Sequence, residues 1–144
     1  MRIALIGCSA SKRDGVHPAT ELYCGHLFSL CKQYCDANGL EYRILSSCYG
    51  CLTPDRQIRS YDLRINQKSA REKFDWAFTV ETSLKACGLR KGDQVVFLAG
   101  NEYFKPLEWI LGPARLGLEV LRPLKGKGIG LQKKWLAQAI KEAE

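Results

Sequence analysis

Four short polar clusters carry most of the side chains in this chain that could do chemistry. They are Cys8-Ser9-Ala10-Ser11-Lys12, Ser46-Ser47-Cys48-Tyr49-Gly50, Ala99-Gly100-Asn101-Glu102-Tyr103 and the stretch from Arg122 to Gly130. Each cluster follows a hydrophobic run that is typical of a buried strand. If these runs are parallel strands of one sheet, the clusters meet at its carboxyl edge, where open α/β sheets bind ligands.

The first cluster could hold an anion or the edge of a nucleobase. Backbone N–H groups and the side chains of Cys8, Ser9, Ser11 and Lys12 follow the apolar run directly. The P-loop pattern is absent, which disfavours nucleoside triphosphate hydrolysis. Cys8 is also a candidate nucleophile if Lys12 favours its thiolate, although a cysteine at a strand end is more often a small buried hydrophobic side chain.

The second cluster is followed by two acidic residues that could assist bond cleavage. We expect Asp62, or else Asp55, to act as a general base or to stabilise cationic charge on a sugar while a glycosidic bond breaks. A turn or helix-cap role for Asp62 is the structural alternative. Substrate contacts are expected from Ser47, Tyr49, Gly50 and Tyr61. The tyrosines could stack on a base, or could simply bury their rings and leave their hydroxyls in water.

The third and fourth clusters supply candidates for base and phosphate recognition. Asn101 and Tyr103 lie at a strand-to-helix turn, where an amide could read a base edge or could only cap the helix. In the fourth cluster, glycines and cations precede a predicted helix, a combination that allows close approach of backbone and charge to phosphate. The predicted phosphate-binding residues are Arg122, Lys125, Lys127, Gly128 and Gly130.

Charge favours a polyanionic partner. The net charge is +7 over 144 residues, and lysine and arginine can replace the counterions condensed on phosphates. The alternative is a solvated basic face that only promotes solubility. We therefore expect nucleic acid or a nucleotide as partner. No apolar run approaches the length of a membrane span and no cleavable leader is evident, which favours a cytoplasmic location without a membrane partner.

The cysteines indicate free thiols. There are seven, an odd number in a sequence without secretory features, so disulfides are not expected. Cys48 and Cys51 have the spacing of a zinc knuckle, but there is no second pair and His17 and His26 lie elsewhere. The sequence therefore predicts neither a metal site nor a cofactor.

Alternating strands and helices predict one α/β domain over residues 1–144. Strands are expected at 2–7, 41–46, 94–100 and 118–121, helices at 19–37, 68–87, 103–111 and 129–142, and a long loop at 52–66. Right-handed crossovers between parallel strands give a Rossmann-like three-layer α/β/α sandwich. We predict a four-stranded parallel sheet in the order 2-1-3-4, with the loops after the first and third strands as pocket walls.

The ordered set of motifs resembles an uncharacterised family of small bacterial and phage α/β domains of the DUF6884 type. The motifs are IGCSASK, Glu21-Leu22-Tyr23 with Gly25, LSSCYGCL, Tyr61-Asp62-Leu63, AGNEYFKPL and RPLKGKGIGLQKKWL. The resemblance implies a compact domain and no particular reaction. Its motif positions are Cys8, Ser9, Lys12, Tyr23, Tyr49, Gly50, Tyr61, Asp62, Tyr103 and Gly130. The first loop is also similar to a segment in the accessory region of archaeal transglycosylase-type enzymes that modify guanine in transfer RNA.

These observations lead to one main functional hypothesis and two alternatives. The main hypothesis is an enzyme that acts on a nucleotide or nucleic acid, of the N-glycosidase or base-modifying kind, with the base held between the first and second loops. The first alternative is a non-catalytic nucleotide-binding or regulatory interaction module that uses the same loops. The second is a cysteine-dependent enzyme. The sequence does not fix the oligomeric state.

Overall fold

The computed structural model describes residues 1–144 and is built around a mixed β-sheet. In chain order the strands are β1 (Arg2–Gly7), β2 (Val16–Pro18), β3 (Glu41–Ser46), β4 (Gly50–Leu52), β5 (Gln57–Arg59), β6 (Gln94–Leu98) and β7 (Glu119–Leu121). The helices are α1 (Ala19–Leu22), α2 (His26–Ala37), α3 (Ala70–Ala86), α4 (Asn101–Leu111) and α5 (Ile129–Ala143), and a 3-10 turn (Ile65–Gln67) precedes α3.

The main sheet has five strands in the order β4-β3-β1-β6-β7. β1 pairs in parallel with β3 on one side and with β6 on the other, and β6 pairs in parallel with β7. Residues Ile3 to Ile6 of β1 have no exposed surface. A strand that is buried on both faces needs apolar side chains at every position, which is why this continuous apolar run lies at the centre.

The predicted four-stranded, all-parallel sheet in the order 2-1-3-4 was wrong, because a fifth strand is added at the edge. After β3 the chain reverses through Ser47–Tyr49 and returns as β4, antiparallel to β3. Gly50 adopts a φ of +85°, a left-handed conformation that glycine tolerates best. The hairpin buries Leu52 completely, so the edge strand adds apolar contact although it is only three residues long.

Helices cover both faces of the sheet. Ile3 and Leu5 of β1 face a core that includes Trp76 and Val80 of α3 and Leu107 of α4. Ala4 and Ile6 point the other way, into a core with residues of α2 and α5, among them Phe28 and Leu136. Successive side chains of a strand alternate between faces, so each layer receives every second residue of β1. The protein is therefore an α/β fold with helices on both sides of a mostly parallel sheet.

The single helix predicted over 19–37 was wrong, since the chain breaks at Tyr23–Gly25. Tyr23 is extended and forms a β-bridge with Lys12. The bridge is supported by two backbone hydrogen bonds, from Arg13 N to Leu22 O (2.8 Å) and from Cys24 N to Ser11 O (3.0 Å). Both α1 and α2 bury their apolar residues. The helical spacing of apolar residues therefore continues across the break, which is caused by the pairing of Tyr23 with the distant Lys12.

The segment predicted as a long loop over 52–66 also contains regular structure. β5 pairs antiparallel with β2, and only its central residue Ile58 is buried. A strand of three residues with one apolar side chain leaves almost no pattern in the sequence.

The predicted start of α4 at residue 103 was also wrong. The helix begins at Asn101 with Gly100 as its N-cap, so Asn101 is not the cap. No helix combines the length and apolar character that crossing a membrane requires.

Candidate functional site

A cleft lies at the carboxyl ends of β1 and β6, where the winding of the sheet changes direction. The chain leaves β1 towards α2 on one face and leaves β6 towards α4 on the other. Loops that diverge in this way leave a crevice between two neighbouring parallel strands, the usual ligand position in open α/β sheets. Here the crevice has a volume of about 580 Å³.

Five separate parts of the chain line the cleft. Four of them are Gly7–Lys12 after β1, Asp62–Asn66 before α3, Leu98–Tyr103 without Asn101 around the start of α4, and Ile129, Gln132 and Lys133 on α5. Residues 25–28 and Cys31 of the α2 region complete the wall. Segments that are far apart in sequence therefore face one shared space.

The first loop is held in shape by its own side chains. Ser9 Oγ donates to Ser11 O (2.6 Å) and accepts from Gly25 N (3.0 Å). A Cβ at position 25 would lie 2.7 Å from Ser9 Oγ, so glycine at this position allows the hydroxyl to approach the backbone closely. Lys12 Nζ lies 4.6 Å from the centre of the Tyr61 ring and contacts Ala10 O at 3.4 Å. The ammonium is thus positioned over an aromatic face and retains donors for a ligand.

A chain of hydroxyl groups holds the Tyr61 ring that lies beneath Lys12. Tyr61 Oη lies 2.6 Å from Tyr23 Oη and 2.7 Å from Ser46 Oγ. Ser46 Oγ also accepts from the backbone N–H groups of Cys48 and Tyr49. Burial, reinforced by the neighbouring Cys8, raises the pKa of both Tyr23 and Tyr61. These phenols therefore stay neutral and fix the position of the Tyr61 ring.

Cys8 lies beside a third phenol, that of Tyr103. Its Sγ is 3.0 Å from Tyr103 Oη, and burial raises the pKa of Tyr103 above its usual value. Cys8 itself is half-buried and lines the cleft. A neutral phenol is not the general base that activates a nucleophilic thiol. The observed contact thus gives no support to the cysteine-dependent alternative.

Two carboxylates face the cleft from different elements. Asp62 lies in the segment between β5 and the 3-10 turn, and Glu102 lies in the first turn of α4. Both are exposed. The Glu102 carboxylate folds back over Gly100, where a Cβ would lie 2.7 Å from Glu102 Oε1. Asp55, the other predicted acid, lies in the exposed turn between β4 and β5 and does not line the cleft.

Several predicted substrate contacts lie behind the cleft wall. Tyr49 Oη donates to Arg59 O (3.1 Å), and its ring meets Tyr61 edge-on at 5.6 Å between centroids. Ser47 is buried and its hydroxyl donates to Leu63 O. None of Ser47, Tyr49, Gly50, Tyr61 and Asn101 lines the cleft. Ser47 ties the β3–β4 hairpin to the segment that carries Asp62, and Tyr49 ties it to β5.

The glycine-rich basic loop lies next to the cleft, but none of its predicted phosphate-binding residues lines the cleft. Gln132 lines the cleft and donates to Lys127 O (2.8 Å), which connects the loop to the first turns of α5. Gly128 is the N-cap of α5, and Lys125, Gly128 and Gly130 are exposed. Arg122 lies further back, with its guanidinium 3.7 Å from the centre of the Phe104 ring.

Sequence reasoning missed part of the lining. The overlooked polar residues are His26, Arg64, Asn66, Glu102, Gln132 and Lys133. Glu102 follows Asn101 in the third polar cluster. A correct prediction of the start of α4 would have placed Glu102 in the first turn of the helix and made it a candidate site residue. Lys133 belongs to the basic run after Arg122. His26 and Arg64 carry no distinguishing local signal.

The cysteines do not assemble into a metal site. No group of three or more histidine, cysteine, aspartate or glutamate side chains is arranged to hold an ion. Cys51 is buried, and burial raises the pKa of its thiol to about 12, whereas Cys48 is exposed on the hairpin. The two-residue spacing reflects the tight β3–β4 turn.

A comparison with protein families covers nearly the whole molecule. Residues 3–138 match a family model described as a family of unknown function (DUF6884). The matched range contains all four polar clusters and every segment that lines the cleft. The chain belongs to this family.

Proposed function

We propose that the protein acts on the nucleoside unit of a nucleotide or nucleic acid, breaking or exchanging its N-glycosidic bond in the cleft between β1 and β6. The observation that carries the proposal is the convergence of hydroxyl, ammonium and carboxylate groups from four segments on one cleft. A binding site needs polar groups of this kind around a partly apolar cavity.

The size and composition of the cleft suit one nucleoside. Its volume of about 580 Å³ lies within the roughly 300–1,000 Å³ of small-molecule sites. Leu27 and Phe28 give one wall an apolar surface for a planar base. Ser11 and the backbone of the first loop offer hydrogen-bonding groups to its edge.

The charges around the cleft suit a substrate with a phosphate and a cationic transition state. Lys12, Arg64 and Lys133 supply positive charge, while Asp62 and Glu102 supply carboxylates. Cleavage of a glycosidic bond develops oxocarbenium character on the sugar, which a nearby carboxylate stabilises. The cations attract a negatively charged ligand to the cleft.

Hydrolysis needs two proton transfers in addition to this stabilisation. The bond between the base nitrogen and C1′ breaks, its electron pair stays with the base, and the base takes up a proton. The oxygen of water bonds to C1′ and loses a proton. We assign the second transfer to Asp62, and Glu102, which lines the same cleft from α4, is available for the first.

The test is release of free base, measured by mass spectrometry after incubation with nucleosides, nucleotides and oligonucleotides. Asp62→Asn should lower turnover by about 10²–10⁴-fold, the range expected for loss of an acid–base group. Asp55→Asn is the matched control, because this acid is also exposed but lies outside the cleft. Its turnover should equal that of the wild type. Full activity of Asp62→Asn would refute the assignment, and absence of base release from all substrates would refute the activity.

A non-catalytic nucleotide-binding module is the second candidate. One observation favours it: none of the five ion pairs of the protein involves Asp62 or Glu102, whereas catalytic groups are normally held by supporting contacts. Such a module would bind nucleotide with the same cleft and release no base. Calorimetric binding together with the mass-spectrometric assay separates the two functions.

A further inference from the structure

A second cleft lies next to the first and shares a wall with it. Its volume is about 470 Å³, and Phe28 lines both clefts. The wall between them is the ridge formed by 11–13 and 22–24, the two extended segments joined by the bridge between Lys12 and Tyr23. Neighbouring residues of an extended segment point to opposite sides. Lys12 accordingly lines the first cleft, and Arg13 lines the second.

Three basic side chains from different elements meet in the second cleft. Arg13 comes from the ridge, His17 from β2 and Lys32 from α2. Arg13 Nε donates to Glu21 O (3.0 Å) and Lys32 Nζ donates to Thr20 O (3.0 Å). Each cation is thus fixed through one donor, and the terminal nitrogens of Arg13 and two N–H groups of Lys32 remain available.

No acidic side chain neutralises these cations. The five ion pairs of the protein involve neither Arg13 nor Lys32. Glu21 is the one acid that lines the cleft, and it is the backbone carbonyl of Glu21 that contacts Arg13. His17 is held by Asp14 O at 2.7 Å. The cleft is mostly polar and holds a guanidinium and an ammonium that lack carboxylate partners. These two groups are suited to bind the oxygen atoms of a phosphate.

We propose that the second cleft binds a phosphate group of the ligand whose nucleoside lies in the first cleft. This inference rests on the proposed function for the location of the nucleoside, and the phosphate itself is bound by Arg13 and Lys32. A phosphate ester attached to the sugar crosses the ridge between Lys12 and Arg13. The phosphate can belong to a mononucleotide or to the backbone of an oligonucleotide, and both present the same group to the site.

The test compares ligands that differ only in phosphate. Affinities are measured by calorimetry for a nucleoside, its 5′- and 3′-monophosphates and a trinucleotide, with wild type, Arg13→Gln, Lys32→Gln and Lys32→Arg. Lys141→Gln is the matched control, since Lys141 is exposed at the far end of α5. Circular dichroism verifies the fold of each variant.

Arg13→Gln and Lys32→Gln should bind phosphorylated ligands about tenfold to hundredfold more weakly and leave nucleoside affinity unchanged. Lys32→Arg should retain most of the affinity, and Lys141→Gln all of it. A mononucleotide as tight as the trinucleotide assigns the site to the substrate's own phosphate, and a tighter trinucleotide assigns it to a backbone phosphate. Equal weakening by Lys141→Gln, or no effect of Arg13→Gln and Lys32→Gln, would overturn the proposal.

A direct probe separates this inference from the proposed function. Titration with inorganic phosphate, followed by ¹⁵N NMR, should shift the Arg13 Nε resonance and the amides of Cys24 and Ser29, which line the second cleft. This result would stand even if no base were ever released. Absence of these shifts at phosphate concentrations high enough to displace bound trinucleotide would contradict the phosphate site.

Discussion

Replacing Gly50 should destabilise the protein through the β3–β4 hairpin rather than through any contact with a ligand. Gly50 has a φ of +85°, is buried and does not line the cleft. A Cβ at this position would lie 2.9 Å from Thr79 Cγ2 on α3. Alanine at position 50 therefore introduces backbone strain and a steric clash together.

The two contributions can be estimated separately. A left-handed backbone costs an L-residue about 1–2 kcal/mol, and an extra methyl group in a packed contact costs about 1–3 kcal/mol. We expect Gly50→Ala to lower the free energy of unfolding by about 3 kcal/mol, within the range of about 2–5 kcal/mol to which the two contributions add up. Gly39 also has a positive φ, +60°, but a Cβ at this position would have no neighbouring atom within 4 Å. Gly39→Ala should therefore show only the strain, about 1–2 kcal/mol.

Urea unfolding at 25 °C measures both values. With a slope of about 2 kcal/mol per molar urea, Gly50→Ala should shift the midpoint by about 1.5 M. Thr79→Ser removes the clashing methyl and keeps the hydroxyl that bonds Asp75 O (3.3 Å). The double variant Gly50→Ala/Thr79→Ser should recover the clash contribution. The reasoning is refuted if Gly50→Ala costs no more than Gly39→Ala, or if Thr79→Ser restores nothing.

Three further predictions concern buried polar groups. Glu81 is 4% exposed and its pKa is lowered, chiefly by hydrogen bonds from Arg115 at 2.6 and 2.8 Å. The stabilisation by the Glu81 carboxylate is present above the pKa of the unfolded carboxyl and is lost as pH falls below about 4.5. Below this pH the melting temperature of wild type should therefore decline more steeply than that of Glu81→Gln. Parallel curves of melting temperature against pH would contradict this. Tyr61→Phe removes the hydroxyl between Tyr23 and Ser46 and should cost about 1–3 kcal/mol in urea unfolding, whereas an unchanged midpoint would show that the hydroxyl chain is dispensable. Ellman's reagent should modify the exposed Cys24 and Cys48 quickly. It should spare Cys31, Cys35 and Cys51 until the protein unfolds, because burial raises the pKa of these three thiols to about 12. Reaction of any of the three in the native state would be inconsistent with their burial in the core.

The sequence predicted the elements that are long enough for burial to leave a recognisable pattern of apolar residues. β1, β3 and β6 are apolar runs and α5 has a clear inward face, so their positions were recognisable. β2, β5 and the break at Tyr23–Gly25 depend on pairing between distant residues. β4 adds three residues after a turn that depends on Gly50. Long-range pairing of short segments has no local signature, so strand number and strand order could not be obtained correctly.

The candidate site shows the same division. The first loop and Asp62 were selected from residue types, and both line the observed cleft. Tyr49 and Ser47 were selected on the same grounds, yet they bond Arg59 O and Leu63 O behind the wall. Residue type does not reveal whether a hydroxyl supports a loop or faces a ligand. Glu102 was overlooked because the start of α4 was predicted two residues too late.

The most direct test of the account is an NMR titration of the ¹⁵N-labelled protein with a short oligonucleotide. The cleft predicts that the largest amide shifts fall in four segments, at 9–12, 63–66, 100–102 and 132–133. These segments converge at the carboxyl edge of the sheet. Shifts confined to the opposite edge, around Gly39 and the turn from Gly88 to Gly92, would contradict it.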